Sequence, residues 1–237
     1  MNENFQIYKL GARRAVPIAL GYFAVSFTFG ILARKYGLTP FESSLISLTN
    51  LTSAGQFAGI EIIRDKGPYI EMVISQLIIN SRYLLMSSSL SQKIDYNTSI
   101  PKRLLMAFST TDEIYSLGIS YPKKLSPYYI YGAMSVSIPG WTLGTLFGAT
   151  TGEILPSKIV STLSIALYIM LITAIIPHTK NNKTIAGIIS ISMLSSLLFS
   201  IIPYLKNISS GVKIIVLSIV ITGLAAYFFP LKEQLNE

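Results

Sequence analysis

The run Leu51-Thr52-Ser53-Ala54-Gly55-Gln56 places helix-start chemistry inside an apolar stretch, and Ser109-Thr110-Thr111-Asp112-Glu113 does so again. Both read as capping boxes, Ser53 with Gln56 three residues on and Thr110 with Glu113 three residues on. If the flanking stretches lie in a bilayer, a helix that stops and restarts strands N–H and C=O groups that hydrocarbon cannot satisfy. Such breaks are tolerated around a wet cavity, which makes these two places the first candidates for a site.

The flanks do read as membrane. Of 237 residues, 51% are hydrophobic and 13% charged, with mean hydropathy +0.53, whereas a soluble domain carries nearly twice that share of charge. Apolar runs of about 20 residues, enough to cross roughly 30 Å of hydrocarbon, lie near 13–33, 41–63, 69–90, 104–120, 128–150, 158–177, 184–205 and 211–229. The expectation is an all-α integral membrane protein of about seven to eight transmembrane segments, some discontinuous, forming one polytopic domain over residues 1–237.

The net charge of +8 does not point to nucleic acid, because the basic residues sit in pairs between the apolar runs: Arg13-Arg14, Arg34-Lys35, Lys102-Arg103 and Lys123-Lys124. That spacing suits topogenic flanks and lipid headgroups. Lys9, Arg13 and Arg14 favour a cytoplasmic N-terminus, and the first run is too long for a signal-peptide core, so it is expected to stay as a helix. With no cysteine there is no disulfide or thiolate site. The single histidine, His178, follows Pro177 at the end of a run and reads as an interfacial polar residue. Neither a metal nor a cofactor is expected.

Within 128–152 the glycines Gly140, Gly144, Gly148 and Gly152 recur every fourth residue and form a strip that lets another helix approach closely. Pro139 removes one helical hydrogen bond just before that strip and is a candidate hinge with Gly140. A fainter version, Pro17 with Gly21 and Gly30, marks the first run, and the likeness of 13–63 to 128–177 suggests two repeated halves, parallel or inverted.

The remaining polar residues fall in the first half. Arg82 lies well inside 69–90, where a charge costs about 2.5–3.5 kcal/mol even on a lenient scale, so an ion pair with Asp112 or Glu113, a substrate carboxylate, or snorkelling to the interface must compensate it. In a regular helix Asn80 and Arg82 point about 200° apart, so either they serve different neighbours or the helix is distorted between them. Asp112 and Glu113 diverge by about 100°; one can cap a half-helix while the other faces a cavity, open to protonation or to an ammonium group. Thr52, Ser53, Gly55 and Gln56 offer a neutral half-helix start whose amides suit a carboxylate. With Asn80, Arg82, Thr111, Asp112 and Glu113 they form the candidate substrate site. Its chemistry specifies a small zwitterion with an apolar side chain, an aliphatic amino acid, while still permitting another small carboxylate.

These residues resemble a known family, the AzlC-type large subunit of branched-chain amino acid exporters. The matching elements are Pro17 with Gly21, Phe29-Gly30, Ala54-Gly55-Gln56-Phe57, Asn80-Ser81-Arg82 with Leu84-Leu85, and Thr111-Asp112-Glu113. The resemblance implies a secondary transporter exporting leucine, isoleucine, valine and similar amino acids across a prokaryotic plasma membrane, with a small AzlD-type membrane subunit and proton coupling. The chain departs from the pattern at Tyr83, where a histidine often follows the arginine, and at Ala24, where proline is common. The first departure shifts proton coupling to Asp112 and Glu113. A competing reading is a non-transporting membrane scaffold for a partner protein. An intramembrane enzyme finds no support, since the chain has no H-E-x-x-H, no G-x-S-x-G and no cysteine.

Overall fold

A computed structural model describes residues 3–152, 165 and 182–229; the apolar run 158–177 and His178 lie outside the described residues apart from Ile165. The chain is an all-helical membrane protein. Its helices are α1 Glu3–Lys35, α2 Pro40–Thr49, α3 Ser53–Arg64, α4 Tyr69–Asn80, α5 Arg82–Lys93, α6 Ile100–Phe108, α7 Asp112–Ser120, α8 Pro127–Thr151, α9 Lys183–Ile201, α10 Pro203–Lys206 and α11 Ser210–Phe228. Prolines open α2, α6, α8 and α10, where the missing N–H costs nothing and the fixed φ favours the first turn.

Among the described residues three helices are individually long and apolar enough to cross a membrane: Glu3–Lys35, Lys183–Ile201 and Gly211–Phe228. The shorter helices come in interrupted pairs. At nine residues each, α6 and α7 reach only about 13 Å apiece, less than half the hydrocarbon thickness.

The chain divides into two compact units. The first holds Met1–Ile60 with Ile79–Leu167, and the second Glu61–Ile78 with Tyr168–Glu237. In the first unit α1 and α8 are the central pair. Gly132 abuts Tyr8, Gly140 abuts Ala19, Gly144 abuts Phe23 and Ser26, and Gly148 abuts Phe27. Partner numbers rise together, so the two helices run parallel. Pro17 and Pro139 therefore lie at matching depth, two residues before Ala19 and one before Gly140.

The two interrupted segments each turn back beside this pair. Segment α2–α3 leaves the C-terminal end of α1, reaches Thr145 through Ser47 and Trp141 through Gln56, and then returns, with Phe57 on Phe29 and Ile60 packed with Ala33 and Leu38. Segment α6–α7 enters from the other end. Tyr131 on α8 meets Lys102 near its start, Thr111 at its tip meets Tyr22, and Tyr121 just past its end stacks on Tyr129 at 4.6 Å. The breaks expected in 41–63 and 104–120 are present, but the reading of each run as a full crossing is corrected: each is a hairpin that comes back to the end it entered. Periodicity along one segment carries no information on whether its second half continues or returns. Helix α5 runs from the tip level at Arg82 down to Leu90 and Ile94, which join Ala15, Met106, Ile114 and Tyr129 in the main apolar cluster.

In the second unit the buried Glu71 accepts the Ser209 hydroxyl at 2.6 Å, and Ser209 caps α11 through the Val212 N–H. The carboxylate thus sits at the positive end of that helix. Helix α9 has no buried residue and is apolar all round, a pattern that suits a membrane span.

Candidate functional site

The hairpin tips bring the starts of α3 and α7 to the level of Tyr22 and Trp141, one from each end. The caps differ from the expected boxes. At α7 the capping residue is Thr111, whose side chain accepts from the Ile114 N–H, while Thr110 donates back to the Met106 carbonyl and closes α6. Glu113 is therefore not the reciprocal member of a box. Gln56 does not fold back on its helix start either, because its amide is engaged elsewhere. The reciprocal box lies instead at Thr39 with Glu42, which opens α2.

Glu113 is held by α1. The buried Tyr22 hydroxyl donates to Glu113 Oε2 at 2.6 Å and lies 2.5 Å from Thr111 Oγ1. Tyr22 has one hydroxyl proton, so with that O–H donating to the carboxylate it is Thr111 that donates to the phenol oxygen. Its neighbour Asp112 points to α5, where Oδ2 meets Arg82 Nη1 at 2.6 Å, with side-chain exposures of 41% and 43%. The interruption at Ser81, which keeps helical angles but bonds its carbonyl to Leu84 N–H, separates Arg82 from the regular course of α4. The two acids thus have different tasks: one is ion-paired, and the other is held by the neutral Tyr22 hydroxyl.

On the other hairpin Gln56 is buried. Its amide donates to Ser47 Oγ at 3.0 Å and accepts from Trp141 Nε1 at 2.7 Å, while Ser47 also bonds Thr145 at 2.7 Å. The Trp141 ring meets the Tyr22 ring edge-on at 5.3 Å. A continuous set of contacts therefore runs from Ser47 and Gln56 through Trp141 and Tyr22 to Thr111 and Glu113. At the start of α3 the hydroxyls of Thr52 and Ser53 are buried and find no hydrogen-bond partner among the described residues, and Gly55 is buried beside them.

Of the expected site residues, Arg82, Thr111, Asp112 and Glu113 gather at one hairpin tip, and Thr52, Ser53, Gly55 and Gln56 at the other. Asn80 ends α4 just before the interruption. Pro139, Gly140, Gly144 and Gly148 belong to α8, the three glycines packed on α1. Tyr22, Trp141, Ser47 and Thr145 were not among the expected residues. The available signal was the lone tryptophan, because a buried indole N–H needs an acceptor and the nearby broken segment contains one glutamine.

The Arg82–Asp112 pair is testable by a double-mutant cycle. Arg82→Leu and Asp112→Leu each leave one charge unpaired, so each is expected to destabilise the protein by more than its share of the double substitution. Partial exposure places the coupling at about 1–3 kcal/mol, below that of a fully buried pair. Additive effects on unfolding in lipid nanodiscs would show that the pair contributes nothing.

The family model described as AzlC protein matches residues 17–155, more than half of the chain and the whole of the contact set from Tyr22 to Thr145. The chain belongs to the AzlC family. It is 26% identical over 184 residues to a membrane protein of Archaeoglobus fulgidus, covering 77% of this chain and 80% of that one. It is also 26% identical to the inner membrane protein YgaZ of Escherichia coli, over 60% of each chain, and to a membrane protein of Helicobacter pylori, over 65% of this chain and 68% of the relative. No solved structure matches.

Proposed function

We propose that this AzlC-family chain is the permease subunit of a secondary transporter that exports branched-chain and other aliphatic amino acids across a prokaryotic plasma membrane, together with a small AzlD-type membrane subunit. The observation that carries the reading is the pair of helical hairpins entering from opposite ends. Their tips set two helix starts and the acids Asp112 and Glu113 beside α1 and α8, where Arg82 of α5 meets Asp112.

The chemistry follows from the groups present. The Thr52 and Ser53 hydroxyls, buried and without a hydrogen-bond partner among the described residues, lie at the positive end of α3 and suit a carboxylate. Glu113 suits the ammonium group, and Asn80 and Thr111 supply further polar contacts near the same depth. Arg82 pairs with Asp112 and holds it in place. Proton coupling then falls to Glu113: a proton entering from outside converts its carboxylate to the neutral acid, the ammonium loses its counter-charge, and the amino acid leaves. Return of the proton to the inside restores the carboxylate for the next substrate. Access alternates as one hairpin and then the other yields, with Pro139-Gly140 as a hinge on α8.

The test is efflux from proteoliposomes containing this chain and its small partner, preloaded with labelled leucine. An inward proton gradient is expected to accelerate efflux, and isoleucine and valine to compete while lysine and glutamate do not. Absence of leucine counterflow from liposomes holding both subunits would favour the scaffold reading over transport.

A further inference from the structure

We propose that Tyr22 is the positioning residue that ties the protonation state of Glu113 on one hairpin to Trp141 and Gln56 beside the other. The inference deepens the exporter reading and rests on Glu113 as its coupling acid. Tyr22 is buried in the middle of α1 and touches one tip directly and the other through Trp141 on α8: its hydroxyl meets Glu113 and Thr111, and its ring packs edge-on with Trp141, whose N–H is bound to Gln56. An ionised Glu113 accepts a charge-assisted hydrogen bond from the phenol O–H. A neutral Glu113 carries a proton of its own and no longer requires that donor, so the phenol is free to turn, and a turn of the phenol moves the ring packed on Trp141.

The other charged or titratable groups near Glu113 are Asp112 on its own helix and Arg82 and Tyr83 on α5. Asp112 and Arg82 are paired with each other, and the Arg82 guanidinium lies 5.2 Å over the Tyr83 ring. Tyr83 is close enough to feel both carboxylates. None of the three lies in the line from Glu113 to Trp141, whereas Tyr22 makes contact at both ends of it.

Trp141 is the only tryptophan in the chain, so its emission reports this position without labelling. The experiment is a pH titration of intrinsic fluorescence, from about pH 3.5 to pH 9 so that the ordinary carboxyl range is included, on the full chain in lipid vesicles. The unmodified protein is expected to show one transition, lost in Glu113→Gln and lost in Tyr22→Phe. Tyr8→Phe removes a phenol on the same helix that bonds Ser135 and is expected to keep the transition. Should Tyr22→Phe fail to accumulate, Thr111→Val strips the hydroxyl that feeds the same phenol and carries the same expectation. A flat emission profile in the unmodified protein, or a full transition in Tyr22→Phe, overturns the proposal. If the titration behaves as expected while leucine efflux is absent, the exporter reading fails and the coupling stands.

Discussion

Gly148→Leu is expected to abolish the packing of α8 on α1 and to leave little folded protein in the membrane, whereas Gly21→Leu on α1 is expected to be tolerated. A Cβ at Gly148 would sit 2.0 Å from the Phe27 carbonyl oxygen, and one at Gly132 the same distance from that of Tyr8. These obstacles are backbone, so no rotamer change relieves them and one helix must move off the other. The contact also repeats from Gly11 to Gly152, and a displacement at one glycine spoils its neighbours. Small residues at such spacing are how membrane helices approach closely enough for dispersion to hold them. Ordinary overpacking costs about 1–3 kcal/mol, and a clash with rigid backbone along a shared seam belongs at or above the upper end. At Gly21 an added Cβ meets nothing within 4 Å. Membrane accumulation and thermal aggregation in mild detergent measure both variants, and near-normal behaviour of Gly148→Leu would show that the glycine strip does not hold α8 in place.

This seam was the most legible part of the sequence, because glycine at every fourth position has few uses inside a membrane. The breaks at 50–52 and 109–111 were legible for a related reason: Thr, Ser and Asp inside apolar runs must do something for the backbone. Which threonine caps α7 was not, since Thr110 and Thr111 are chemically alike and only the path of the chain assigns one to the end of α6 and the other to the start of α7. The ion pair of Arg82 was legible as a need for compensation, but its choice of Asp112 over Glu113 depends on how α5 meets the hairpin tip. Tyr22 and Trp141 were missed because aromatic residues in an apolar run look like packing until their polar atoms are located. The sense in which each hairpin turns back depends on contacts between elements, Phe57 with Phe29 and Tyr121 with Tyr129 among them, for which a single sequence offers no periodic signal.

The second large effect concerns the two adjacent acids. Glu113→Gln is expected to remove the proton-driven part of leucine efflux while the protein reaches the membrane at normal levels, and Asp112→Asn is expected to lower those levels first. The difference follows from their partners. An amide at 113 still offers a carbonyl oxygen to the Tyr22 hydroxyl, so the local packing survives, but it can neither gain a proton nor present a full negative charge to an ammonium group. A hydrogen bond to a charged group contributes about 1.5–3 kcal/mol, so its loss weakens substrate binding by about ten- to a hundredfold. A residue that no longer titrates also cannot couple movement to a pH gradient, so leucine exchange at saturating concentration is expected to persist when net efflux is lost. At Asp112 the amide leaves Arg82 without its counter-charge at a depth where an unpaired cation is costly, and that cost falls on folding before it reaches transport. Gradient-driven efflux and exchange, measured beside membrane abundance for each variant, separate these outcomes. Full gradient-driven efflux by Glu113→Gln would remove Glu113 from the coupling step and with it the mechanism proposed for this site.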